Sequence, residues 1–147
     1  MVLSTDSEQG VWVRRLGYGG LIPFVLGAVL LFLVQDEVHP YVTIALTAYA
    51  ALIASFLGGI HWGLALLDSN PLRTFHLIWG ITPALLAWVG LIMPAYAGLP
   101  WLALVLLVCY GVDRKTWPQV GLRAWLTLRF RLTAVAVLSC LLGAGAV

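Results

Sequence analysis

Five long apolar stretches, at 16–34, 41–67, 74–93, 96–112 and 130–147, alternate with short polar turns along the chain. Within each stretch polar positions are too sparse for the one-sided pattern of a soluble helix. Most reach the roughly 17 to 25 residues that cross about 30 Å of hydrocarbon. The pattern therefore predicts an all-α integral membrane protein, a compact bundle of five transmembrane helices. Residues 1–15 form a cytoplasmic segment and 16–147 a single transmembrane domain. The second stretch is long enough to cross with tilt or to project beyond the bilayer. The fourth is short for a crossing, and Gly98-Leu99-Pro100 reads as part of the corner before it. The charged start followed by apolar residues resembles a signal peptide. The run is too long for one, however, and Gln35-Asp36-Glu37 follows it in place of a small-residue cleavage site, so a retained helix is expected.

Composition agrees with lipid as the solvent. Hydrophobic residues make up 62% of the chain and charged residues 10%, and the mean hydropathy is +1.00. A net charge of +2 is too small a bias to suggest nucleic acid. Its distribution is more informative. With alternating crossings, all 8 basic residues fall on the side of the amino terminus, while the first outer loop carries Asp36, Glu37 and His39. The positive-inside rule then puts the N-terminus in the cytoplasm and the C-terminus outside. Cys109 and Cys140 both sit in apolar runs, which supports neither a disulfide framework nor a zinc ribbon.

Packing and polar candidates concentrate around Ser55-Phe56-Leu57-Gly58-Gly59-Ile60-His61-Trp62-Gly63. Ala51, Ser55, Gly59 and Gly63 recur at every fourth position and predict a small-residue ridge, with G-x-x-x-G spacing, against which neighbouring helices pack. By rise per residue His61 lies roughly 9 Å inside the second helix, level with Pro23 and Pro83. Each proline frees a carbonyl four residues earlier, so Gly19 and Trp79 are expected to present acceptors toward His61 and Trp62. Buried polar groups in hydrocarbon need partners. His61 is then a structural tie, a proton- or ligand-handling group, or a metal or haem ligand. Against haem, His76 counts about 6 Å nearer the surface than His61, which makes it an interfacial residue. Gly20-Leu21-Ile22-Pro23 is echoed by Gly80-Ile81-Thr82-Pro83, as in a parallel repeat.

A second cluster, Asp68, Asp113, Arg114, Arg129 and Arg131, is placed at helix ends on the inner rim. Arg129 and Arg131 point to different faces of a helix, one inward to an aspartate and the other toward lipid phosphate. The chain shows no Ser-His-Asp order, H-E-x-x-H or phosphate-binding glycine loop. No cofactor is predicted; haem and quinone contacts are disfavoured.

The stretches Leu16 to Phe24, Ser55 to Gly63, Trp79-Gly80-Ile81-Thr82-Pro83 and Arg129-Phe130-Arg131-Leu132-Thr133 together resemble the domain of unknown function 3429 family, transmembrane protein 69-like. The resemblance implies a small multi-span protein of bacterial or mitochondrial inner membranes without an assigned activity. With no transit-peptide composition, the chain is expected to be a bacterial inner-membrane member. The function expected is a non-enzymatic accessory or assembly component of a larger membrane complex, in contact with lipid and with other subunits or further copies of itself. The alternative is a small oligomeric transporter or proton pathway through the Pro23, His61 and Pro83 layer.

Overall fold

The computed structural model describes residues 3–67 and 70–147. Among these residues the regular structure is helical throughout: α1 (Glu8–Gly19), α2 (Ile22–Leu33), α3 (His39–Ala65), α4 (Arg73–Ile92), α5 (Ala95–Thr116) and α6 (Leu126–Ala146), with two short 3₁₀ turns between α5 and α6. Five segments are long and apolar enough to span a membrane, α1 and α2 together making the first.

Several boundaries differ from the sequence reading, each for a local reason. The first helix begins at Glu8, capped by the Ser7 hydroxyl accepting from the Gly10 N–H at 3.0 Å, so much of 1–15 is helical. It breaks at Gly20-Leu21, and Pro23 starts α2 where its missing N–H leaves no bond unmade. Pro83, by contrast, stands inside α4, so the two members of the sequence echo have different roles. The connection from α4 to α5 is only Met93-Pro94, and Gly98-Leu99-Pro100 belongs to the first turns of α5. With α5 running on to Thr116, the fourth crossing is full length and Asp113 lies within it.

The bundle interior is built at 3- and 4-residue spacings. Ala54, Gly58, His61 and Ala65 face inward from α3; His76, Gly80, Pro83, Ala87 and Gly90 from α4; Arg129, Thr133, Ala136, Cys140 and Gly143 from α6. The closest crossing is that of α3 over α4. A Cβ placed on Gly58 would strike the Gly80 carbonyl, and one on Gly80 would strike Trp62. A second glycine crossing joins α4 to α5, where a Cβ on Gly98 would meet the Gly90 carbonyl.

The ridge expected to make these contacts does not. Ala51 is buried, but Ser55, Gly59 and Gly63 are exposed, and a Cβ on Gly59 or Gly63 would meet nothing within 4 Å. A strict four-residue repeat rotates about 40° per step around a helix of 3.6 residues per turn, which carries this row off the buried face.

These two glycine sets give opposite expectations. Gly58→Leu or Gly80→Leu should lower stability in mild detergent by about 3 kcal/mol or prevent assembly of the bundle. Gly59→Leu and Gly63→Leu should leave the unfolding midpoint of the monomer unchanged or slightly raised. Equal losses at both pairs would contradict this packing.

Candidate functional site

One turn in from the same end of the bundle, four helices each contribute one ionisable side chain to a single buried chain. His61 lies four residues from the end of α3, His76 three from the start of α4, Asp113 three from the end of α5 and Arg129 three from the start of α6. Their exposures are 1%, 0%, 1% and 5%. The same spacing that packs the small residues sets their directions, since each occupies an inward position of its helix.

The geometry is continuous. His61 Nδ1 lies 2.7 Å from His76 Nδ1, with ring centroids 4.9 Å apart and the rings 30° from parallel. His61 Nε2 lies 2.6 Å from Asp113 Oδ1. Arg129 Nε donates to Asp113 Oδ2 at 2.8 Å, and its Nη1 donates to the Thr133 hydroxyl. A carboxylate paired with a guanidinium can only accept, so His61 donates through Nε2–H; with a neutral ring it keeps a lone pair on Nδ1. His76 then donates its Nδ1–H to that lone pair, leaving its own Nε2 as an acceptor. That Nε2 and Arg129 Nη2, the two ends of the chain, are both buried without a hydrogen-bond partner among the described residues.

Charge balance explains why this cluster can be buried. An isolated ion in hydrocarbon is prohibitively unstable, and a pair is tolerated only when its remaining donors and acceptors are matched. Asp113 and Arg129 cancel, and both carboxylate oxygens are used.

The sequence candidates are redistributed accordingly. His61 is interior, but its partners are His76 and Asp113 in place of the Gly19 and Trp79 carbonyls. Gly19 and Pro23 are exposed, Trp62 is 42% exposed, and Pro83 is buried beside Gly58. His76 is not interfacial: α4 starts at Arg73, and its inward face brings the two rings level. Within the expected inner-rim cluster, Arg129 turns inward onto Asp113, while Arg131 is exposed and donates to the Tyr18 hydroxyl at 3.2 Å. Arg114 is exposed, and Asp68 lies outside the described residues. Sequence reasoning missed Thr133 and the role of His76. The register His76, Gly80, Pro83, Ala87, Gly90 was the available signal, since it puts the histidine on the glycine-bearing face. Among the described residues no group of three or more His, Cys, Asp or Glu is arranged to hold a metal ion.

Known proteins extend this picture. The family described as Protein of unknown function (DUF3429) matches residues 11–145. Transmembrane protein 69 of Xenopus tropicalis is 46% identical over 79 residues, which is 52% of this chain and 31% of that protein. Transmembrane protein 69 of Mus musculus is 32% identical over 75 residues, 50% of this chain and 30% of that protein. These matches thus span about a third of the length of the curated relatives. No solved structure matches.

The pairing predicts strong non-additivity. Asp113→Asn should destabilise the detergent-solubilised protein by about 3 to 5 kcal/mol, because it strands the Arg129 charge. The double substitution Asp113→Leu with Arg129→Met should recover most of that loss. Additive losses in a thermal or SDS unfolding assay would show that the two side chains are not a pair.

Proposed function

We propose that this chain, which belongs to the Protein of unknown function (DUF3429) family, is a non-enzymatic proton-binding membrane protein whose working part is the chain His76–His61–Asp113–Arg129. The observation that carries this reading is the Nδ1 to Nδ1 bond of 2.7 Å between two fully buried histidines, one of them bonded to a carboxylate. A proton arriving at the free lone pair of His76 Nε2 lets His76 pass its Nδ1 proton to His61. His61 becomes an imidazolium beside Asp113, and the added charge rests where a carboxylate already faces it. Release reverses the same two transfers. Relative to the sequence reading, the proton layer moves from Pro23, His61 and Pro83 to these four residues. The setting we assign is a bacterial inner membrane with the amino terminus in the cytoplasm, supported by the one-sided placement of the basic residues.

A second reading, an accessory or assembly role in a larger membrane complex, is favoured by a separate observation. Ser55, Gly59 and Gly63 form an open small-residue track on the outside of α3. Lipid gains nothing from such a track, whereas a transmembrane helix of another subunit, or of a second copy, can approach closely along it.

The two readings separate experimentally. Acidified through the histidine titration range in unbuffered mild-detergent solution with a pH-indicator dye, the wild-type protein should take up one proton more than His61→Phe or His76→Phe, and Arg131→Gln should match the wild type. Equal uptake by the wild type and both histidine variants would dismiss the proton reading. For the assembly reading, Gly59→Leu and Gly63→Leu should leave the monomer folded yet abolish a slower-migrating species on native electrophoresis of gently solubilised membranes. Unchanged migration would dismiss it.

A further inference from the structure

A groove of about 610 Å³ lies on the flank of the bundle beside the charged end of the chain. Its walls come from α1, α2, α3, α5, α6 and the 3₁₀ segment, and its rim includes the exposed Leu16 and Phe56. The lining is almost wholly apolar, as in most small-molecule sites, with a few polar groups placed at one region. Those few are the informative part. Arg129, Thr133 and Trp117 line the groove, and two of them hold buried N–H donors without partners among the described residues, Arg129 Nη2 and Trp117 Nε1.

We infer that the groove binds an isoprenoid quinone, with a ring carbonyl accepting from Arg129 Nη2 and Trp117 Nε1 and the apolar tail following the groove into the bilayer. Three features narrow the ligand to this class. The unmet groups are both donors, so the head must offer acceptor oxygen. Asp113 already cancels the Arg129 charge, so an anionic head would bring an uncompensated charge into a low-dielectric site, whereas a neutral carbonyl would not. Four aromatic side chains, Phe24, Phe56, Trp117 and Trp125, line the same groove and suit a flat ring. Both donor nitrogens are themselves covered, so a small turn of each side chain accompanies binding. The inference deepens the proton reading by placing a ligand at the Arg129 end of the same chain, and only binding is claimed.

The test uses the full-length protein, purified in mild detergent from quinone-containing membranes. Extracted quinone per protein should approach one for the wild type and fall to background for Leu57→Trp, which fills the groove. Trp117→Phe removes one donor while leaving Asp113 and Arg129 paired. It should weaken binding of a short-tailed quinone about fivefold, the loss expected for one neutral hydrogen bond of about 1 kcal/mol. That titration can be followed by quenching of the intrinsic tryptophan fluorescence. Phospholipid in place of quinone, an empty groove, or equal retention by wild type, Leu57→Trp and Trp117→Phe would overturn the proposal. Failure of the proton reading is a different result: quinone bound normally, with no histidine-dependent proton uptake.

Discussion

Everything at the polar end of this bundle depends on a buried carboxylate and guanidinium that must stay together. Asp113 and Arg129 stand on α5 and α6, 2.8 Å apart and almost wholly removed from solvent. Neither tolerates its position without the other. Hydrophobic packing would hold two such helices without any charge, and what the pair adds is orientation. It fixes the carboxylate so that the second oxygen faces His61, and through His61 it reaches His76 on α4. Four crossings are thereby indexed to one another at a single height. Apolar contacts between smooth helix faces do not set such a register by themselves.

The same arithmetic separates what could be read from the chain and what could not. Five membrane-spanning segments and their order follow from apolar run lengths. Which face of a helix turns inward is a finer matter. Ala51, Ser55, Gly59 and Gly63 look like a packing row, yet Gly58 is the glycine that touches α4, one residue and about 100° away. Heights along a helix depend on where it starts. Counting from the apolar run sets His76 too near the surface, because α4 starts at Arg73 and turns the ring inward to His61. Asp113 was read as a rim residue because Asp113-Arg114-Lys115 looks like a loop, although α5 continues through it to Thr116 and buries Asp113 while leaving its two basic neighbours outside. The resemblance to a family supplied kinship and left these contacts undetermined.

Two populations of small residues thus divide the labour of α3. Gly58 and Ala54 let α4 and the core approach, and Ser55, Gly59 and Gly63 leave an unfilled track on the lipid side. The break between α1 and α2 has a comparable economy. Pro23 opens α2 at no loss of an internal bond, while the Tyr49 hydroxyl donates to the Gly20 carbonyl at 2.7 Å and ties the break to α3.

The link between α4 and α5 is two residues long and clamped by the Gly90 and Gly98 contact, whereas the other ends of these helices lead into longer connections. Such a fork has its fulcrum at Met93-Pro94. Roughly 22 Å of α5 separates Gly98 from Asp113, so a rotation of only about 5° between the prongs displaces their tips by about 2 Å. His61, bridging His76 on one prong and Asp113 on the other, sits where that leverage is greatest. Its two short bonds act as a latch on the spread of the tines.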